Sequence, residues 1–175
     1  MDQKRLNEII RVDHAGEHGA IAIYKGQIKA LEIMGDKKTL PIIHEMLDGE
    51  KVHAQKFDEL VEKKKTRATA LMPLWHISGF TLGVVSALGG RDSLMACTEA
   101  VEEVIDKHYS DQILELEKSG KEPEILETIR KFHADELEHE EIAKNEISEN
   151  TRSLNAFKKI IKVGCKAAIN ISEKI

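Results

Sequence analysis

Aromatic residues are nearly missing from this chain: it has one Trp, two Tyr and four Phe among 175 residues. Sheets lean on aromatic and β-branched side chains, so this shortage, beside 41% apolar and 33% charged residues, favours packed helices over strands. Proline is as sparse, with three residues, which leaves room for long uninterrupted helices. The two cysteines, Cys97 and Cys165, stand apart and not in C-x-x-C pairs, which argues against a disulfide framework and a zinc ribbon. They are expected as small core residues in a reducing compartment. Positive charge is not in excess: the net charge of −5 supplies no basic field, so no nucleic acid partner is expected. The start, "MDQKRLNEIIRVDHAGE", has neither the apolar core of a secretory signal nor the acid-free, Arg/Ser-rich composition of a transit peptide, so the chain reads as cytosolic or already processed. Its length suits one domain over 1–175.

Apolar positions recur every three or four residues and strict alternation is almost absent, so helices are expected nearly throughout. The spacing predicts four charged, amphipathic helices over 3–33, 38–64, 92–118 and 123–148, with Pro41 and Pro123 in first turns, where proline is tolerated. Two segments depart from that style. The 23 residues 68–90, "ATALMPLWHISGFTLGVVSALGG", carry no formal charge. They are long enough to cross a bilayer on paper, yet Pro73, His76, Ser78, Thr81, Ser86 and four glycines make them a poor span. The segment reads equally as a core helix or a lipid contact, with Trp75 and Phe80 as headgroup anchors or as packed aromatics. In the last segment, 152–175, Leu154, Phe157, Ile160, Ile161 and Ile169 are interspersed with Lys158, Lys159, Lys162 and Lys166. Six basic residues against one acidic give this tail about +5 and the rest about −10. A capping helix with solvated lysines and a basic amphipathic helix lying on anionic lipid both fit.

Among 22 Glu and eight His, chance alone gives about one Glu-x-x-His, so neither Glu50/His53 nor Glu136/His139 says much by itself. Their context says more. Glu17 precedes Glu50 by 33 residues and Glu102 precedes Glu136 by 34, an internal duplication of a helix pair. On a helical wheel Glu17 lies in the stripe Ile10, His14, Ile21, Tyr24, Ile28. Glu50 and His53 fall with Ile43, Leu47, Ala54 and Phe57, and Glu136 and His139 with Ile125, Ile129, Phe132 and Ala143. Glu102 sits at the edge of the stripe Cys97, Val101, Ile105, His108, Tyr109, whereas Glu103 faces away.

Any one of these six groups is ordinarily a solvated side chain. Together, inside one core, they would be destabilising by several kcal/mol each if left unpaired, on the order of the cost of burying an isolated charge. Two divalent cations balance four carboxylates, and six mixed O and N ligands leave coordination positions open, which suits iron or manganese better than a closed structural zinc. Helix bundles build dinuclear sites with one Glu from each of two helices and a Glu-x-x-His from each of the other two. The expected metal ligands are therefore Glu17, Glu50, His53, Glu102, Glu136 and His139. Asp13 and Asp135 are placed either to orient ligand histidines or to lie at the surface, and His14 and His18 are further imidazoles beside Glu17.

The stretches "RVDHAGEHGA", "EKVHAQKF", "LMPLWHISGFTLGVVSALGG", "ACTEAVEEVIDKHYSDQI", "ADELEHEEI" and "VGCKAAINISEKI" together resemble the demethoxyubiquinone hydroxylase family of ubiquinone biosynthesis over essentially the whole chain. The resemblance implies an all-α, ferritin-like four-helix bundle holding two iron ions, with an added hydrophobic interfacial helix or hairpin at 68–90 and an amphipathic C-terminal helix. It implies a monooxygenase that uses O2 as co-substrate to hydroxylate a polyprenyl-methoxy-methyl-benzoquinol in the penultimate step of that pathway. The family's ligand motif falls on the same six residues, with Glu50 and Glu136 bridging the metals, and it makes His108 and Tyr109 candidate catalytic residues that relay electrons or protons. One departure is His18 in "AGEH", where the family often carries Tyr.

Implied partners are the polyprenyl quinol, a lipid surface, and either a second copy of the chain or a partner protein of the pathway. The implied place is peripheral, on the cytoplasmic face of a bacterial inner membrane or the matrix face of the mitochondrial one. The reductant, NADH or another donor, stays open, because no Gly-rich nucleotide loop is present. If 68–90 crossed the bilayer, the two halves of the ligand set would lie on opposite sides, so the segment is expected at the interface. Two alternatives remain at this point: a ferritin-like iron-storage protein, which leaves the uncharged segment unexplained, and a metal-free helical adaptor, which leaves six inward polar groups unexplained.

Overall fold

The computed structural model describes residues 1–175, which form six helices: α1 (Gln3–Met34), α2 (Leu40–Lys63), α3 (Met72–Leu88), α4 (Arg91–Ser119), α5 (Pro123–Glu146) and α6 (Arg152–Ser172). Local chemistry sets their ends. The Asp2 carboxylate accepts the Arg5 N–H at 2.8 Å to start α1, and Gly35, at φ 72°, closes it. α2 begins two residues later than its periodicity suggests because the Asp36 carboxylate holds the N–H groups of Lys38 and Thr39, both at 2.9 Å, in a turn. α5 stops at Glu146 and not Ser148 for a like reason. The Asp92 carboxylate takes the N–H groups of Ser148 and Glu149 at 3.0 and 3.2 Å, drawing the chain out of the helix.

α1, α2, α4 and α5 enclose the core. One apolar cluster, with Tyr24, Leu31, Met46, Leu94 and Met95, fills one end of the bundle. Another, with Ile10, Phe57, Leu60, Leu116 and Ile129, fills the other. On each of these four helices the expected ligands fall between the residues of the two clusters. The polar groups thus occupy the middle of the bundle with an oily plug on either side.

The duplication runs further than the helix pair. α3 packs chiefly on α1, and α6 chiefly on α4, so each half is a triplet whose third helix lies against its first. The uncharged segment is one helix and not a hairpin, and no helix is long and apolar enough to cross a membrane. Its glycines explain its closeness to α1. A Cβ on Gly83 would stand 2.0 Å from the Ile23 carbonyl oxygen, and one on Gly26 2.2 Å from that of Phe80, so the two backbones touch directly. Trp75 is a packing aromatic whose Nε1–H donates to Ser172 Oγ at 2.9 Å, linking α3 to α6, whereas Phe80 is exposed. α6 is held further by a buried ion pair, Lys158 Nζ to Glu99 Oε2 at 3.0 Å.

Candidate metal centre

All six expected ligands converge. Glu17, Glu50, His53, Glu102 and Glu136 are buried, and His139 is nearly so. His53 Nδ1 lies 3.1 Å from Glu136 Oε1, 3.5 Å from Glu17 Oε2 and 3.7 Å from Glu50 Oε2. His139 Nδ1 lies 3.3 Å from both Glu50 Oε1 and Glu136 Oε2. Two overlapping groups result. Glu17, Glu50, His53 and Glu136 bring one donor atom each within 4.8 Å of one another, and so do Glu50, Glu102, Glu136 and His139. Glu50 and Glu136 belong to both. Both Glu50 oxygens, Glu136 Oε2 and His139 Nδ1 are buried without a hydrogen-bond partner, a costly arrangement for protein atoms alone and the one expected of donors that face cations.

The tyrosines complete the duplication. Tyr24 stands seven residues after Glu17, and Tyr109 seven after Glu102. They pair crosswise: Tyr24 Oη donates to Glu102 Oε1 at 2.8 Å, and Tyr109 Oη donates to Glu17 Oε1. Tyr24 was not among the expected site residues, although the same offset of 85 residues marks it. The neighbouring groups divide. Asp135 accepts from His53 Nε2 at 3.1 Å and so orients that ring. Asp13 instead accepts from Gln112 Nε2 at 2.8 Å and faces His108 Nε2 at 3.2 Å, reaching neither His53 nor His139. His14 and His18 turn away from the centre, both toward Asp58 on α2. The counterpart of Asp135 in the first half is Gly49, which offers the His139 ring no acceptor: a Cβ there would only touch its Cε1 and Nε2 at 3.4 and 3.5 Å.

Burial pushes Glu17 and Glu102 well above the ordinary carboxylate range, and the charges of Glu50 and Glu136 add to the push. Burial alone would lower His53 and His139, but the surrounding carboxylates outweigh it, raising His139 to about 11 and His53 higher still. Glu50 goes the other way: burial would raise it, yet His139 and His53 bring it down to about 2.

These directions fix a pH dependence for the metal-free protein. Glu17 and Glu102 hold protons in the fold that the unfolded chain releases above 4.5, so stability falls as pH rises from there. The histidines act in the same sense from 6.5 upward, and for His139 until about 11. The contribution of Glu50 is present above 4.5 and lost toward about 2. The melting temperature in chelator is therefore expected to peak at mildly acid pH and to fall steadily through neutrality, with iron loading flattening the profile. A metal-free midpoint that climbs between about pH 6 and 9 would contradict this ionisation pattern.

A small cavity of about 30 Å³, room for a water-sized molecule, lies among Glu17, Glu50, Glu102, Glu136, His108 and Tyr109. Val12, Gly16, Ala20, Val101, Ile105 and Ile169 line it and also line a larger groove of about 440 Å³ walled by α1, α3, α4 and α6. That groove is chiefly apolar and leads from the surface to the carboxylates.

Four core helices that converge carboxylates and imidazoles at mid-bundle, with groups able to hold metal, make this a ferritin-like, all-α protein of the carboxylate–histidine type. Residues 4–172 match the family described as "Ubiquinone biosynthesis protein COQ7", and the chain belongs to that family. It is 46% identical over 171 residues to "NADPH-dependent 3-demethoxyubiquinone 3-hydroxylase, mitochondrial" of Dictyostelium discoideum, covering 97% of this chain and 77% of the relative. It is 45% identical over 172 residues to the human protein of the same name, covering 97% and 78%. It is 40% identical over 171 residues to "3-demethoxyubiquinol 3-hydroxylase" of Rhodospirillum rubrum, again covering 97% and 78%.

Proposed function

We propose that the protein is a di-iron monooxygenase that places one oxygen atom of O2 on the ring of a demethoxyubiquinol carrying a polyprenyl tail. The observation that carries this reading is the sharing of Glu50 and Glu136 between two four-residue donor groups at the inner end of an apolar groove. Glu17, Glu50, His53, Glu102, Glu136 and His139 would hold two irons, whose chemistry when bound is the reductive activation of O2.

The chain's own residues supply the rest. Tyr24 and Tyr109 fix Glu102 and Glu17 through their hydroxyl protons, and Asp135 fixes the His53 ring. The groove takes the quinol ring and the start of its tail and excludes water around Gly16 and Ile105. His108 lines the inner cavity and is slightly exposed, with its Nε2 facing Asp13 Oδ1. Burial raises the Asp13 carboxyl despite His108 and Gln112 beside it, so this pair stands ready to pass a proton between solvent and site.

Electrons come from a nicotinamide, a reading supported by the names of the Dictyostelium and human relatives. α3 exposes Leu74, Ile77, Val85 and Leu88 and α6 exposes Ile160 and Val163, beside exposed Lys159 and Lys166. Such a surface fits peripheral attachment to anionic lipid, from which a water-insoluble quinol reaches the groove directly. Iron storage would have no use for that groove.

Iron-loaded protein given a demethoxyubiquinol, NADPH and 18O2 is expected to return a quinol heavier by one 18O atom. Recovery of unaltered quinol from fully iron-loaded protein would overturn the proposal. Gly16 tests the route: it lines both cavity and groove, and a Cβ there meets nothing within 4 Å, so the backbone tolerates a side chain. Gly16→Phe is expected to fill the passage and lower kcat/KM about a hundredfold, the scale of a misplaced substrate, with iron content unchanged. Normal turnover by a Gly16→Phe protein would remove the groove as the path.

A further inference from the structure

We propose that His14, His18 and Asp58 form a second metal site, separate from the buried centre, which takes one redox-inert divalent transition ion, zinc. His14 and His18 stand four residues apart on α1, the spacing that puts two imidazoles on one helix face to share an ion. Their Nε2 atoms lie 2.8 and 3.1 Å from the same oxygen, Asp58 Oδ1 on α2. The three donor atoms fall within 4.8 Å of one another, and none of the six residues of the buried centre is among them.

His14 is 7% exposed, and its buried ring holds Nε2 toward Asp58 and His18, while its Nδ1 is buried with no partner. The His76 ring on α3 is centred 6.0 Å from that of His18, and the two line an open cleft of about 510 Å³ through which a further ligand can reach the ion. Three protein donors with an accessible fourth position are the donor set of an accessible zinc site, in contrast to the closed sets of structural zinc. Borderline-soft zinc suits two imidazoles and one carboxylate, where magnesium or calcium would want oxygen alone. Lys25, which also lines the cleft, is exposed and free to swing away. Such an ion would clamp α1 to α2 beside Glu17.

Iron-loaded protein dialysed against micromolar zinc chloride, then assayed for both metals, tests this. The expected result is one zinc per chain with iron retained, and a melting temperature that rises with zinc concentration by mass action. His18→Tyr and Asp58→Asn, each alone, are expected to weaken zinc binding at least about tenfold and to abolish that rise while keeping the iron content and helical spectrum of the parent. His133→Asn, which alters the comparable His133–Asp106 pair at 2.6 Å, is expected to change nothing. Zinc uptake unaffected by His18→Tyr and Asp58→Asn, uptake only in exchange for iron, or no uptake would each overturn the site without touching the hydroxylase reading.

Discussion

Glu136→Ala is expected to abolish hydroxylation and to cut bound iron below two per chain while the helical spectrum persists. Glu136 is the residue with most to lose: it lies in both donor groups, is 2% exposed, and faces His53 Nδ1 at 3.1 Å and His139 Nδ1 at 3.3 Å. Loss of a residue that merely orients a ligand costs about 10- to 100-fold in metal affinity or activity, so loss of a donor common to both groups should exceed the upper figure. The helices persist because the apolar clusters at both ends of the bundle are untouched, and because the metal-free fold sheds one of four crowded carboxylates. Glu140→Ala is the matched control. Glu140 is also buried on α5, but it pairs with Lys144, so its removal should leave two irons and normal turnover. Full activity in Glu136→Ala, or equal losses in both variants, would end the assignment of Glu136 as a ligand.

Gly83→Ala should destabilise the protein more than any methyl added elsewhere on its surface helices. The new Cβ would stand 2.0 Å from the Ile23 carbonyl oxygen, which belongs to rigid α1 backbone and cannot rotate aside. α3 must therefore move outward, loosening the contacts around Gly26 and Gly79 as well. Overpacking of this kind costs about 3 kcal/mol, which for a chain of this size lowers the melting temperature by about 6–12 °C. Since Gly79, Trp75 and Leu82 form part of the groove wall, turnover should fall with stability. Gly164→Ala on α6, where a Cβ meets nothing within 4 Å, should instead be neutral or gain up to about 1 kcal/mol of helix propensity. Calorimetry on the pair decides it; similar melting temperatures for both variants would mean that α3 yields freely.

The six converging side chains were legible in the sequence because two independent periods point to them, the helical repeat that puts them inward and the duplication that sets their order. The tyrosine pairing was legible by the same duplication, but the helical wheel scores Tyr24 and Tyr109 as core apolar residues and says nothing of where a hydroxyl points. Asp13 and Asp135 could not be separated by pattern. Only the neighbouring helix decides which finds an inward histidine, and α4 offers Asp13 the side chains of His108 and Gln112 instead of His53 or His139. The lack of charge in 68–90 announced an apolar helix but not its partner, which the close glycine contacts with α1 choose. The Lys158–Glu99 pair had no local signal at all, since α6 docks on a helix more than 30 residues earlier in the chain.

Gly49 and Asp135 hold matching places in the two halves but present different groups to the histidines opposite them. His53 faces a carboxylate through its outward Nε2 and is 2% exposed; His139 turns the same flank to a glycine and is 12% exposed. A chain built from two like halves thus keeps its imidazoles in unlike settings, and in nitrogen-15-labelled protein they should resonate as two distinct environments rather than one degenerate pair.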